Sequence, residues 1–137
     1  MIRIICLAVL LAGCTSAATT PPQPIDEHAI DDVWHRAKLR GVAFRAIGQE
    51  PGWLLEIIEG EAFLLVTDYG ANRDTYPYVE PLVDEEARRT RYVLAQGPVI
   101  EIRGKPCTDT MSGESFAVSV TVFLADRDLR GCGRALF

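Results

Sequence analysis

From Val42 onward the chain alternates between apolar and polar residues with a period of two, and short turn signals interrupt it repeatedly. Such alternation predicts half-buried β-strands. Val42, Phe44 and Ala46 share one face, and Trp53, Leu55 and Ile57 share another after the turn Gly48-Gln49-Glu50-Pro51-Gly52. Glu59-Gly60 reads as a hairpin turn into residues 62–67, and the turn at 68–72 leads to a weaker strand over 73–79. Pro77 places that strand at an edge or a bulge, because proline cannot donate to a ladder. Residues 80–89 read as a charged connection to strands over 90–95 and 99–103. The strongest alternation, Phe116, Val118, Val120, Val122 and Leu124, leads through a turn at 125–128 to a last strand over 129–134. With that turn, Cys132 is expected near Thr121. The pattern predicts a mainly β fold, a small antiparallel meander closing into a seven- or eight-stranded barrel, since closure removes exposed edges.

Only the segment before Val42 carries a helical period. Ile30, Val33, Trp34 and Ala37 fall at i, i+3, i+4 and i+7 and make one apolar stripe. Asp26 is placed to cap the start of this N-terminal helix, Lys38 and Arg40 lie near its end, and Gly41 stops it. The stripe is expected to pack on the body of the domain.

The first residues change the picture from fold to location. Met1-Ile2-Arg3 precedes an unbroken apolar run from Ile4 to Leu11. That is short of the roughly 20 residues a membrane span needs, and it suits an export signal over residues 1–13. Leu11-Ala12-Gly13-Cys14 resembles the bacterial lipobox, which implies lipidation of Cys14 at the mature N-terminus. Thr15 at the following position implies, by resemblance to Gram-negative lipoproteins, an outer-membrane lipoprotein whose domain faces the periplasm. Residues 14–24 read as a lipidated cysteine and tether of small residues and prolines. Residues 25–137 are then one β domain.

Charge and cysteine usage narrow the function classes. The formal charge is −5, and loss of Arg3 with the signal makes it −6. An acidic domain lacks the electrostatic footprint of a nucleic-acid binder. Cys6 leaves with the signal and Cys14 is acylated, so Cys107 and Cys132 remain in an oxidising compartment, where such a pair is expected to form a disulfide. Two free thiols or a metal pair are the alternative. Zinc lacks close ligand spacing, and copper would need Met111 and a free Cys107 together with His28 or His35. No cofactor and no metal are expected.

The loop Pro106-Cys107-Thr108-Asp109-Thr110-Met111-Ser112-Gly113-Glu114-Ser115-Phe116 holds the densest chemistry. Asp109 and Ser112 are placed to bond loop amides, as short polar side chains do in turns. Together with Glu50-Pro51-Gly52-Trp53, Asp68-Tyr69-Gly70 and Gly131-Cys132-Gly133-Arg134, the Cys-x-Asp-x-Met-Ser-Gly run resembles a family of uncharacterised bacterial envelope lipoproteins. The likeness covers about Ala43 to Leu136 and implies a small secreted β-domain without a known activity. The chain is more weakly similar to the membrane-bound inhibitors of c-type lysozyme. Those are lipid-anchored, disulfide-stapled barrels that insert a Ser-Gly loop into the enzyme cleft, a part that falls here to Ser112-Gly113. The Ala-Arg-Tyr that usually follows is Glu114-Ser115-Phe116 here. A distant likeness to the META-type domains of heat-shock lipoproteins rests on architecture.

Catalysis needs a nucleophile, a base and an orienting group that converge. Ser112 lacks a G-x-S-x-G setting, and no histidine follows His35 to activate it. Glu50 with Asp109 and Glu114 could supply a glycosidase-type carboxylate pair, and Trp53 either a sugar platform or a core side chain. The expectation is a non-catalytic, lipid-anchored envelope binding protein. Its candidate binding residues are Glu50, Trp53, Asp109, Met111, Ser112, Gly113 and Glu114. Two partner classes are open: a basic lysozyme or other cell-wall hydrolase, and a small ligand or envelope-assembly partner.

Overall fold

A computed structural model describes residues 29–137. The expectations for the signal, Cys14, the tether, Asp26 and His28 lie outside the described residues, as does the side chain of Ile30. One helix, α1 (Ala29–Leu39), precedes eleven strands. These are β1 (Phe44–Gln49), β2 (Gly52–Ile58), β3 (Ala62–Thr67), β4 (Asn72–Pro77), β5 (Leu82–Asp84), β6 (Arg89–Val93), β7 (Val99–Arg103), β8 (Cys107–Thr108), β9 (Ser115–Phe116), β10 (Val118–Phe123) and β11 (Asp128–Ala135). Nine form one antiparallel sheet in the order β4-β3-β2-β1-β11-β10-β7-β6-β5, and β8 pairs with β9 alone.

The fold is therefore mainly β and antiparallel, with one helix and one disulfide, and its strands outnumber the seven or eight predicted. The sheet curls into a half-barrel whose end strands, β4 and β5, do not pair with each other. Short, polar edges explain the opening: β4 carries Asn72, Arg73 and Asp74, and β5 is three residues long. Both are devices that blunt edge pairing. Aromatic rings from the connection and from β6 cover the core at this side. Tyr78 stacks on Phe63 with centroids 5.6 Å apart, and Tyr92 meets the same ring edge-on at 5.0 Å.

Alternation sorts the side chains as the period-two pattern requires. Ala46, Trp53, Leu55, Ile57, Phe63, Leu65, Ile100, Val120, Val122 and Leu129 fill the concave face. On the convex face Trp34 from α1 packs with Phe116, Cys132, Ile47 and Leu136. The helical stripe is only partly buried: Trp34 and Ala37 are inside, whereas Val33 is 38% exposed. The loop joining β10 and β11 sets Phe123 opposite Asp128, so Cys132 faces Ser119 rather than Thr121. A turn shifted by one residue moves the register by two, which accounts for the difference.

Candidate functional site

The four sequence motifs meet at one end of the sheet, and most of their residues are committed to holding it together. Trp53 is in the core at 5% exposure, and its Nε1 donates to the Arg130 carbonyl over 3.2 Å. The indole fits because its neighbours have no side chains. A Cβ at Gly48 would collide with Trp53 Nε1, and one at Gly131 would collide with the Ile47 carbonyl. Tyr69 lies against Gly52, and its hydroxyl donates to the Gln49 carbonyl over 3.2 Å, closing the turn that contains the cis Glu50–Pro51 bond. Asp68 takes two bonds from the Arg127 Nη2, at 2.7 and 2.9 Å, which pins the 68–70 turn to the β10–β11 loop. The Arg127 hydrogen bonds hold the Asp68 carboxyl below the usual carboxylate range, against a smaller opposing effect of burial.

Cys107 is disulfide-bonded to Cys132, with 5.5 Å between their Cα atoms. This joins the small β8–β9 hairpin to the convex face of β11, and it removes the free thiol that a copper site would require. Between β8 and β9 the loop supports itself. The Asp109 amide donates to the Glu114 carbonyl and the Gly113 amide to the Asp109 carbonyl, each over 2.9 Å. Gly113 has φ +72, in the left-handed region where glycine is favoured. Asp109 is only 5% exposed and accepts the Ser112 amide at 2.8 Å and its hydroxyl at 2.7 Å. Burial pushes the Asp109 carboxyl up, but the two Ser112 bonds, with help from Gln49 and the Met111 amide, outweigh it and hold it below its ordinary range.

Glu114, on the far side of the loop, accepts from the Arg134 Nη2 at 2.6 Å. The same guanidinium lies 4.3 Å from the Trp34 ring centroid and 5.2 Å from that of Phe116. Cation–π contact of this kind contributes about 0.5–2 kcal/mol, the larger values where water is excluded. The result is a rigid wall with a depression on each side. One, about 500 Å3, is lined by Trp34, Ile47, Gln49, Asp109, Met111 and Ser112. The other, about 380 Å3, runs beside the disulfide past Thr108, Thr121 and Arg130. Met111 stands at the tip, 75% exposed.

The structure thus brings Asp109, Met111, Ser112 and Glu114 to one groove. Gly113 shapes the loop without lining the groove, Glu50 is exposed on the neighbouring turn, and Trp53 belongs to the core. Trp34, Ile47 and Gln49 complete the groove although none was singled out as a site residue. Trp34 read as part of a packing stripe, and nothing local tells a residue near residue 34 that its neighbour is residue 116. Ser112 has its hydroxyl committed to Asp109, and among the described residues no three His, Cys, Asp or Glu side chains are placed to hold a metal ion. Comparisons with protein-family models, curated proteins and solved structures found no match to this chain.

Proposed function

We propose that the chain is a non-catalytic binding protein of the bacterial cell envelope, anchored through lipid on Cys14, and that its 107–114 loop is the recognition edge. The observation that carries this reading is the contrast within that loop. Asp109 and Ser112 are spent on internal support and Glu114 on Arg134, while Met111 is offered to solvent beside an apolar-floored groove. A loop ordered before binding loses little entropy on association, and methionine adapts to irregular apolar surfaces. The favoured partner is a basic cell-wall hydrolase of the lysozyme type. The chain's net charge of −5 complements such an enzyme and would speed encounter. Ser112 and Asp109 serve here as scaffold, so a catalytic reading cannot take the Ser112 hydroxyl as a free nucleophile.

The test is clearance of a cell-wall suspension by several lysozyme classes, with and without micromolar full-length protein. Inhibition of at least one class is expected, and Met111→Asp should abolish it, since that side chain has no packing role. Absence of inhibition across all classes removes the hydrolase partner. Lipid retained in native mass spectrometry would then select the competing reading, a small-ligand or envelope-assembly lipoprotein.

A further inference from the structure

A third depression, about 470 Å3, opens on the convex face between α1 and strands β1 to β4. It concentrates positive charge on an otherwise acidic chain. Arg36 and Arg40 reach it from the helix, Arg45 from β1 and Arg73 from β4, so four of the chain's 14 lysines and arginines line one depression. The ladder places them. Arg45 lies opposite Glu56 and Glu56 opposite Leu64, while Leu54 lies opposite Val66 and Val66 opposite Arg73. All these side chains leave the sheet on its helix side.

Among the described residues one carboxylate faces this group. Glu56 is buried, and its Oε1 accepts from Arg40 Nη2 at 2.7 Å and from Arg45 Nη1 at 2.9 Å. A single oxygen is thereby shared by two guanidinium groups that each carry five donors. Arg45 is almost out of solvent, with 12% of its side chain exposed, and its buried Nε has no acceptor among the described residues. Arg73 makes no ion pair among the described residues, and its strand is exposed at that point. Among the described residues Arg40, Arg45 and Arg73 against Glu56 leave two positive charges in excess, without counting Arg36. A surface arginine in water needs no such partner, but a desolvated one does. Val33, Leu54 and Leu64 add apolar walls beside the guanidinium groups.

We infer that this convex cleft is a binding site for an anionic amphiphile, a phosphate ester whose charged head meets Arg40, Arg45 and Arg73 while a short apolar chain lies on Val33, Leu54 and Leu64. Guanidinium forks suit phosphate oxygens, which they engage in paired charge-assisted bonds. The volume fits a small ligand. The cleft adjoins the loop's groove, with which it shares Val33 and Arg45, but no residue of the 107–114 loop lines it and it does not depend on the hydrolase reading. Met111→Asp leaves the cleft untouched, and the variant below leaves the loop untouched.

Calorimetric titration of hexyl phosphate into the full chain tests the site. Saturable binding is expected, at least tenfold tighter than for inorganic phosphate, with hexanol and hexyltrimethylammonium giving no heat. Arg73→Gln removes a solvent-facing side chain and should weaken hexyl phosphate at least fivefold with the fold intact by circular dichroism. Arg88→Gln, on the distant β5–β6 turn, should change nothing. Anionic phosphatidylglycerol vesicles, compared with phosphatidylcholine, separate the two sources of such a head. Competition by the anionic vesicles assigns the site to a lipid headgroup, and its absence assigns it to a soluble phosphate ester. No saturation by 5 mM hexyl phosphate (roughly −3 kcal/mol), or equal binding by wild type and Arg73→Gln, overturns the inference.

Discussion

Adding a single methyl group at Gly131 should cost this fold more than most larger changes. A Cβ there collides with the Ile47 carbonyl oxygen and lies 2.8 Å from both the Ile47 carbonyl carbon and Trp53 Cζ2. Ile47 is ladder backbone, paired with Cys132 across β1 and β11, and Trp53 is wedged in the core. Neither neighbour swings aside as a flexible side chain would. Overpacking costs about 1–3 kcal/mol where the surroundings can repack. Displacing the indole also forfeits its bond to the Arg130 carbonyl, about another 1 kcal/mol. Gly131→Ala should therefore destabilise by about 3–4 kcal/mol, at the high end of overpacking plus the lost bond. In urea, with an m-value of about 1.5 kcal/mol/M, the midpoint should fall by about 2 M. Tryptophan fluorescence follows the transition directly. In a Trp53→Phe background the contact with Cζ2 is gone while the clash with the Ile47 carbonyl remains, so the same substitution should cost about 1 kcal/mol less, a coupling that only touching residues show. A loss below about 1 kcal/mol, or strict additivity of the pair, refutes the account of Gly131 as the indole's socket.

Two further outcomes follow from the same end of the sheet. Replacing Cys107 and Cys132 together by alanine opens a loop closed over a separation of 25 residues, which on the chain-entropy model removes about 3.5 kcal/mol; thermal melts should shift by more than 10 °C, roughly what that loss predicts for a domain of this size. An unchanged melting temperature would mean that packing of Phe116 on Trp34, rather than the disulfide, holds the β8–β9 hairpin. The Asp109 carboxyl is depressed in the folded state, so its stabilising contribution is complete above the unfolded aspartate value of about 3.9 and is lost as pH falls through the lower folded value. Stability measured from pH 6 to 2 should drop more steeply below about pH 4 in the wild type than in Asp109→Asn; parallel curves would show that Ser112 does not favour the ionised form.

Much of the architecture was legible because period-two alternation is enforced by burial on one face. The strands over 44–49, 52–58, 62–67, 99–103 and 118–123 lie where Phe44 to Ala46, Trp53 to Ile57 and Val118 to Val122 placed them. β5 was not, because Leu82-Val83-Asp84 sits in a charged stretch and owes its strand to pairing with Arg89–Arg91. The open side of the half-barrel was also hidden. It depends on β4 and β5 being poor partners, a property of two segments jointly. At the groove, loop chemistry pointed to Asp109, Met111, Ser112 and Glu114, whose neighbourhood is local. Trp34, Arg45 and Arg134 arrive from elements that are far apart in the chain, and a single sequence carries no record of those meetings. Glu50 and Trp53 drew notice as chemistry when their setting is a turn and a tightly filled pocket.

The position of β11 has a consequence for how the molecule comes together. In the ladder of the sheet the last strand joins two blocks, β1 to β4 on one side and β10 with β5 to β7 on the other. Until the final eight strand residues are available, each block ends in an unsatisfied central edge rather than a protected outer one. A chain lacking its last ten residues would be not a slightly shortened version but two sticky fragments on one string. The keystone is laid last, so the whole arch must wait for it.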